Sequence, residues 1–281
     1  KTNIYPVDYC ATLLSIKTGK PVKMSMYVDE MFNTGTRKCD YIYTIKTGLK
    51  KDGTFVARDV KIIANGGAYS TFGILAASAP MFYLQGCFKF PHFRAETARI
   101  FTNTTPRCLL RAAGNDTSNY VDAIHLEMIA RDMGIDPVDL RLKNVYKKGD
   151  VSCLGWNLRS YSLDECIKQV VEKSGYREKK GNLPPYHGIG LGHSGDIVGM
   201  GIPPGNYIPA VVKLHENGKV SLNMPDWEMG NSLSVAACML VAEVLGIKRE
   251  DVEFTSTGTG DYPTDMGQPN EGSFAFQATI K

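Results

Sequence analysis

The chain has 281 residues, of which 43% are hydrophobic, 22% charged and 10% aromatic, and it carries a formal net charge of +3. That length buries one large core or two moderate ones, two being expected, and so small a charge gives no ground for nucleic-acid binding. No apolar run reaches the length of a membrane span, the longest lying around residues 74–77.

Residues 8–17 read as a helix with Tyr9, Leu13, Leu14 and Ile16 inward, stopped by Gly19-Lys20-Pro21. "VKMSMYVD" alternates as a strand does. "YIYTIKTGLKKDGTFVARDVKIIANGG" is a hairpin around Lys51-Asp52-Gly53, ending at Asn65-Gly66-Gly67. "CFKFPHFRAETARIFTNTTP" reads as a second strand pair, closed by Pro106. In "RCLLRAAGNDTSNYVDAIHLEMIARDMG", Asp116, Thr117 or Ser118 caps a helix that buries Val121, Ile124, Met128 and Ile129 and ends at Gly134. Asp136 caps the next helix, with Pro137 at its first position, and 161–173 is a further amphipathic helix.

"SGYREKKGNLPPYHGIGLG" has the charge, glycines and double proline of a linker, which divides the chain into blocks 1–174 and 175–281. The second block holds a hairpin around Asn217-Gly218 and the segment "PDWEMGNSLSV". A helix over 233–245 follows, with Asn231 or Ser232 as its cap, and then the strand "DVEFTST". Strands and helices alternating in two blocks give an α+β architecture. His125 is expected packed or at the surface of its helix, and His193, between glycines, is expected solvated.

Seven cysteines (Cys10, Cys39, Cys87, Cys108, Cys153, Cys166, Cys238) are scattered without a C-x-x-C pair. This speaks for a reducing, cytoplasmic setting and against a zinc or iron–sulfur site in this chain. The chain opens on Lys1 and closes inside the apolar "FAFQATIK", so it is expected to be part of a larger polypeptide or one of several chains that complete each other.

Three segments share one design: an extended stretch, a polar loop with glycine, then a helix or apolar run. They are "LLRAAGNDTSN", "PDWEMGNSLSV" and "DYPTDMGQPNEGS". Small residues let a backbone approach a ligand, and N–H groups at a helix start bind phosphate or other polar oxygens. With Arg111 among them, three such loops suit a large polar cofactor carrying a phosphate.

Their order and spacing carry a resemblance. "KTGKPV", "DEMFNTGTRK", "NGGAYS", "FTNTTPRCLLRAAGN", "DPVDLRLKNVYKKGD", "EMGNS" and "DYPTDMG" follow one another as in the molybdenum-binding large subunit of the molybdenum hydroxylases. This is the family of xanthine dehydrogenase, aldehyde oxidoreductase and 4-hydroxybenzoyl-CoA reductase, and the likeness runs nearly end to end. It implies the family's fold as two mixed α/β blocks.

The resemblance puts Arg111, Ala112 and Ala113 on the family's F-R-G-x-G loop, with Ala112 at its first glycine and Ala113 where xanthine dehydrogenases carry a substrate-stacking ring. It puts Gly230, Asn231 and Ser232 on the E-M-G-Q-G loop, with Ser232 at the second glycine. Gln268 and Asn270 fall on a further pterin-contacting segment. The general-base glutamate is implied to lie outside this chain; Glu271 is read as a solvated loop residue. Tyr207, Met200 and Ile202 fall on a substrate-facing loop.

The cofactor implied is molybdenum–molybdopterin, in its cytosine dinucleotide form, with no protein ligand to the metal from this chain. The [2Fe–2S] clusters and FAD are implied to sit on partner chains: an iron–sulfur subunit, an FAD subunit and a complementary molybdopterin-binding chain or segment. The reaction implied is oxidation, or reductive dehydroxylation, of an aromatic, N-heterocyclic, aryl-CoA or aldehyde substrate, with water as the oxygen source in hydroxylation. The other reading is a degenerate, non-catalytic half that completes the fold while another chain holds the cofactor.

Overall fold

In the computed structural model of the chain, the described residues are 6–69, 73–108, 110–196, 210–224 and 230–256. They fall into two compact units divided between Asp196 and residue 197. Both are mixed α+β.

The first unit runs α1 (Pro6–Thr18), α2 (Val28–Thr34), β1 (Arg37–Lys38), β2 (Tyr41–Leu49), β3 (Phe55–Gly67), α3 (Gly73–Tyr83), β4 (His92–Phe101) and β5 (Arg107–Cys108). It continues with α4 (Asn115–Met133), α5 (Pro137–Asn144), α6 (Leu163–Ser174) and α7 (Tyr176–Lys179). β2 and β3 form the expected antiparallel hairpin, whose turn is fixed by the Asp52 carboxylate accepting from Thr54 N–H at 3.1 Å. β3 then pairs parallel with β4. A parallel pair needs a crossover, and α3 supplies it. The alternation of β3 buries Val60 and Ile62 against Leu84. A second cluster gathers Phe55, Phe88 and Phe90 with Leu126 and Ala130 of α4 and Leu140 of α5. Asp136 caps α5 as expected, accepting from Val138 N–H at 2.8 Å.

The second unit holds β6 (Val211–Leu214), β7 (Val220–Met224), α8 (Leu233–Leu245) and β8 (Val252–Ser256). β6 and β7 are the expected hairpin, and β8 returns parallel to β7 through α8. Leu233, Ala237, Cys238 and Ala242 of α8 pack on Val220, Leu222, Met224 and Val252.

Several expectations are corrected. The helix at α1 exists, but Tyr9, Leu13, Leu14 and Ile16 are all exposed, because nothing among the described residues covers that stripe. "VKMSMYVD" is no strand: it has no ladder partner among the described residues up to residue 27, and α2 starts at Val28. The Glu30 carboxylate accepts Tyr27 N–H there at 2.8 Å, the first-turn acid that a helix start favours. The expected second strand pair is one long strand, β4; the short β5 beyond Pro106 pairs in parallel with β1. On α4 the buried stripe is Asn115, Ser118, Asn119, Asp122, Leu126 and Ala130, while Ile124 and Met128 face outward. Burial of polar groups is tolerated when each has a partner, and these do. Within the first compact unit, Tyr176, Ile189 and Leu191 pack against Val138 and Ile167.

Candidate functional site

Arg111, Ala112, Ala113 and Gly114 form the turn between β5 and α4, with Arg111 and Ala112 exposed. Three consecutive residues have left-handed backbone: Ala112 (φ 83°), Ala113 (φ 46°) and Gly114 (φ 88°). For an L-residue this costs about 1–2 kcal/mol, so two alanines here must be held by what surrounds them. Ala113 N–H donates to Leu110 O at 2.8 Å, Asn115 N–H to Ala112 O at 2.8 Å, and Ser118 N–H to Gly114 O at 3.0 Å. Gly114 lies so close to α3 that a Cβ would stand 2.7 Å from Pro80 Cγ. An ion pair between Lys38 and Asp116 ties the first turn of α4 to β1. The expected cap by Asp116, Thr117 or Ser118 is absent: Gly114 is the N-cap, without a side-chain bond, and Thr117 Oγ1 donates to Gly114 O at 3.0 Å.

In the second unit, Gly230 (φ 87°) and Ser232 (φ 54°) are again left-handed. Gly230, Asn231 and Ser232 are exposed. Ser232 is the N-cap residue of α8 and makes no side-chain capping bond. Leu233, buried against β7, fixes where the helix begins. Gln268 and Asn270 lie outside the described residues, as do Glu271, Met200, Ile202 and Tyr207.

Each described loop therefore offers small side chains and the start of a helix longer than three turns, and the first adds a guanidinium. That donor set suits an organic ligand rich in anionic oxygen, so the residues present fit a phosphorylated pterin.

A buried polar network beneath α4 went unread in the sequence. Arg58 Nη1 donates to Asp122 Oδ1 at 2.6 Å and to Leu84 O at 2.9 Å, and its guanidinium lies 3.9 Å from the centre of the Phe90 ring. The other Asp122 oxygen meets His193 Nε2 at 3.1 Å, and the His193 and Phe88 rings meet edge to face, 4.8 Å between centres. The His193 side chain is thus buried rather than solvated. Burial pushes the Asp122 carboxyl up, but Arg58 and His193 outweigh it and hold the carboxyl below its ordinary value. Burial pushes the neighbouring Cys87 thiol up to about 12, which keeps it protonated and inert. The signal available was the polar i, i+4, i+7 spacing of Asn115, Asn119 and Asp122, set against an apolar stripe on another face of the same helix.

The architecture is that of the molybdenum hydroxylase large subunits. It is similar to quinoline 2-oxidoreductase from Pseudomonas putida 86 (TM-score 0.85, 21% identity, 100% of this chain and 39% of that one). It is also similar to CO dehydrogenase from Oligotropha carboxidovorans (TM-score 0.84, 22% identity, 96% and 37%). The sequence is 29% identical over 263 residues to a subunit of a probable xanthine dehydrogenase of Bacillus subtilis, covering 93% of this chain and 35% of that protein. It is 25% identical to an aldehyde oxidoreductase of Megalodesulfovibrio gigas, covering 92% of this chain and 28% of that protein. The chain thus spans about a third of the length of these curated relatives. Two models described as molybdopterin cofactor-binding domain match it, over residues 1–145 and 169–279. The chain belongs to the molybdopterin cofactor-binding domain family of the xanthine dehydrogenases and aldehyde oxidoreductases.

Proposed function

We propose that this chain holds the molybdopterin of a molybdenum hydroxylase that oxidises, or reductively dehydroxylates, an aromatic, N-heterocyclic, aryl-CoA or aldehyde substrate. The observation that carries this reading is the left-handed backbone of Ala112, Ala113 and Ser232. At Ala112 and Ser232 the family resemblance assigns glycine, and this chain adopts there a backbone that glycine takes up freely and other residues rarely do. A strained backbone persists where function and surroundings both demand it.

In this reading the Arg111 guanidinium offsets negative charge on the cofactor, and the backbone at Ala112 and Ala113 approaches it closely. Gly230, Asn231 and Ser232 direct N–H groups at its phosphate, and Gln268 and Asn270 add polar contacts. Ala113, with no ring, leaves room for a substrate other than a purine. When bound, the cofactor supplies the two-electron exchange with the substrate, water being the oxygen source in hydroxylation. The cytosine dinucleotide form is part of the proposal, as are [2Fe–2S] clusters and FAD on an iron–sulfur subunit and an FAD subunit. A complementary molybdopterin-binding chain or segment brings the general-base glutamate. Seven free thiols suit a cytoplasmic enzyme.

Arg111→Ala tests the reading. Removing a charge-assisted contact is expected to weaken cofactor retention by roughly 10- to 150-fold, read as molybdenum and pterin per chain in the purified complex. Stability, for so exposed a residue, should stay within about 0.5 kcal/mol. Unchanged metal and pterin in Arg111→Ala, or no molybdenum in a native complex with all its partners, would overturn it in favour of a non-catalytic half.

A further inference from the structure

Residues 193–196 are held on the first turns of α4 by one stripe of buried side chains. Asn119 grips Gly195 from both sides: its Oδ1 accepts Gly195 N–H at 3.1 Å, and its Nδ2 donates to Gly195 O at 3.2 Å. Asn115 Nδ2 donates to Asp196 Oδ1 at 3.1 Å, and Asp122 accepts from His193 Nε2 at 3.1 Å. Spacing of four and seven residues puts Asn115, Asn119 and Asp122 on one helix face. The fit leaves no slack, since a Cβ on Gly195 would stand 2.6 Å from Cys87 Sγ.

The clamp reaches the turn through Asn115. Asn119 Nδ2 also donates to Asn115 O at 2.9 Å, while the Asn115 N–H is the one bonded to Ala112 O at 2.8 Å. The residue pinned between Asn119 and Asp196 is therefore the one that closes the strained turn. Left-handed alanines persist only when neighbours over-determine them, and this clamp is a restraint of that kind.

We propose that Asn119, acting through Asn115, is a positioning residue for the cofactor loop: by locking residues 193–196 onto α4 it holds the 111–114 turn in the left-handed form that presents Arg111. What the turn serves rests on the functional reading above; the clamp itself is a property of the chain.

The test is hydrogen exchange on the intact chain, with and without cofactor, comparing peptides over 110–118 and 190–196 with the β2–β3 hairpin. Asn119→Ala is expected to speed exchange in the first two regions and leave the hairpin unchanged. Adding Ala112→Gly removes the left-handed penalty, so exchange over 110–118 should fall back by roughly 5- to 30-fold, with molybdopterin content recovering alongside. Asn119→Asp keeps the acceptor for Gly195 N–H and loses the donor bonds. It should give an intermediate result, and it carries the same test if Asn119→Ala does not fold. Exchange rising equally everywhere, no change over 110–118, or no recovery with Ala112→Gly overturns the clamp. Exchange behaving as expected while bound molybdopterin never changes overturns the functional reading of the turn instead.

Discussion

Removing the Asp122 carboxylate strikes the buried network at its centre. Asp122 is 4% exposed and Arg58 0%, and one oxygen of the carboxylate holds Arg58 while the other holds His193. In Asp122→Ala the guanidinium keeps Leu84 O and, at 3.3 Å, Thr47 Oγ1, but its charge is left uncompensated in a dry site. Breaking a buried pair from one side costs about 3–5 kcal/mol, a large share of the ~5–15 kcal/mol that stabilises a typical protein. In urea, with an m-value of about 2 kcal/mol/M, the midpoint should fall by roughly 2 M. Deleting both charges in Arg58→Met/Asp122→Leu should recover most of that loss, because the desolvation cost goes with them. A midpoint for Asp122→Ala within about 0.5 M of the native one, or a double variant less stable than the single, would refute this reasoning.

The same carboxylate sets a pH dependence. Its folded-state value lies below the ordinary one, so its contribution is complete above about pH 4 and is lost as pH falls from there through the folded-state value. Acid titration of unfolding should show this slope in the native chain and lack it in Asp122→Asn. Gly114→Ala combines a φ of +88° with a Cβ 2.7 Å from Pro80 Cγ; thermal unfolding should show a loss of about 1–3 kcal/mol. Ser232→Gly relieves the left-handed strain at φ 54° but frees the unfolded chain, so a gain of at most about 1 kcal/mol is expected in denaturant unfolding.

Local chemistry made much of the fold legible. The Lys51-Asp52-Gly53 and Asn217-Gly218 turns announce their hairpins, and Asp136-Pro137 announces α5. What misled was the assumption that apolar stripes face inward within the chain itself. Leu13 and Ile16 of α1 and Met128 of α4 are exposed, while the stripe that α4 buries is polar over its first turns and turns apolar only at Leu126 and Ala130. Its partners, Arg58 and His193, lie 64 and 71 residues from Asp122 in sequence, and no window along the chain relates them. The glycines and prolines of residues 174–192 read as a linker, yet Ile189 and Leu191 pack against the first unit, a matter of tertiary packing. At the turns of residues 111–114 and 230–232 the loops were readable as loops; the left-handed form of Ala112, Ala113 and Ser232 was not, because alanine and serine rarely adopt it.

Amide protection by the cofactor bears most directly on whether this chain holds molybdopterin through these turns. Hydrogen exchange should be compared between the loaded complex and the same complex stripped of cofactor. Slowed exchange over both 110–115 and 230–236, with the β2–β3 hairpin unaffected, is the expected result. Identical exchange at both turns in the two states, with molybdopterin demonstrably present in one, would contradict it.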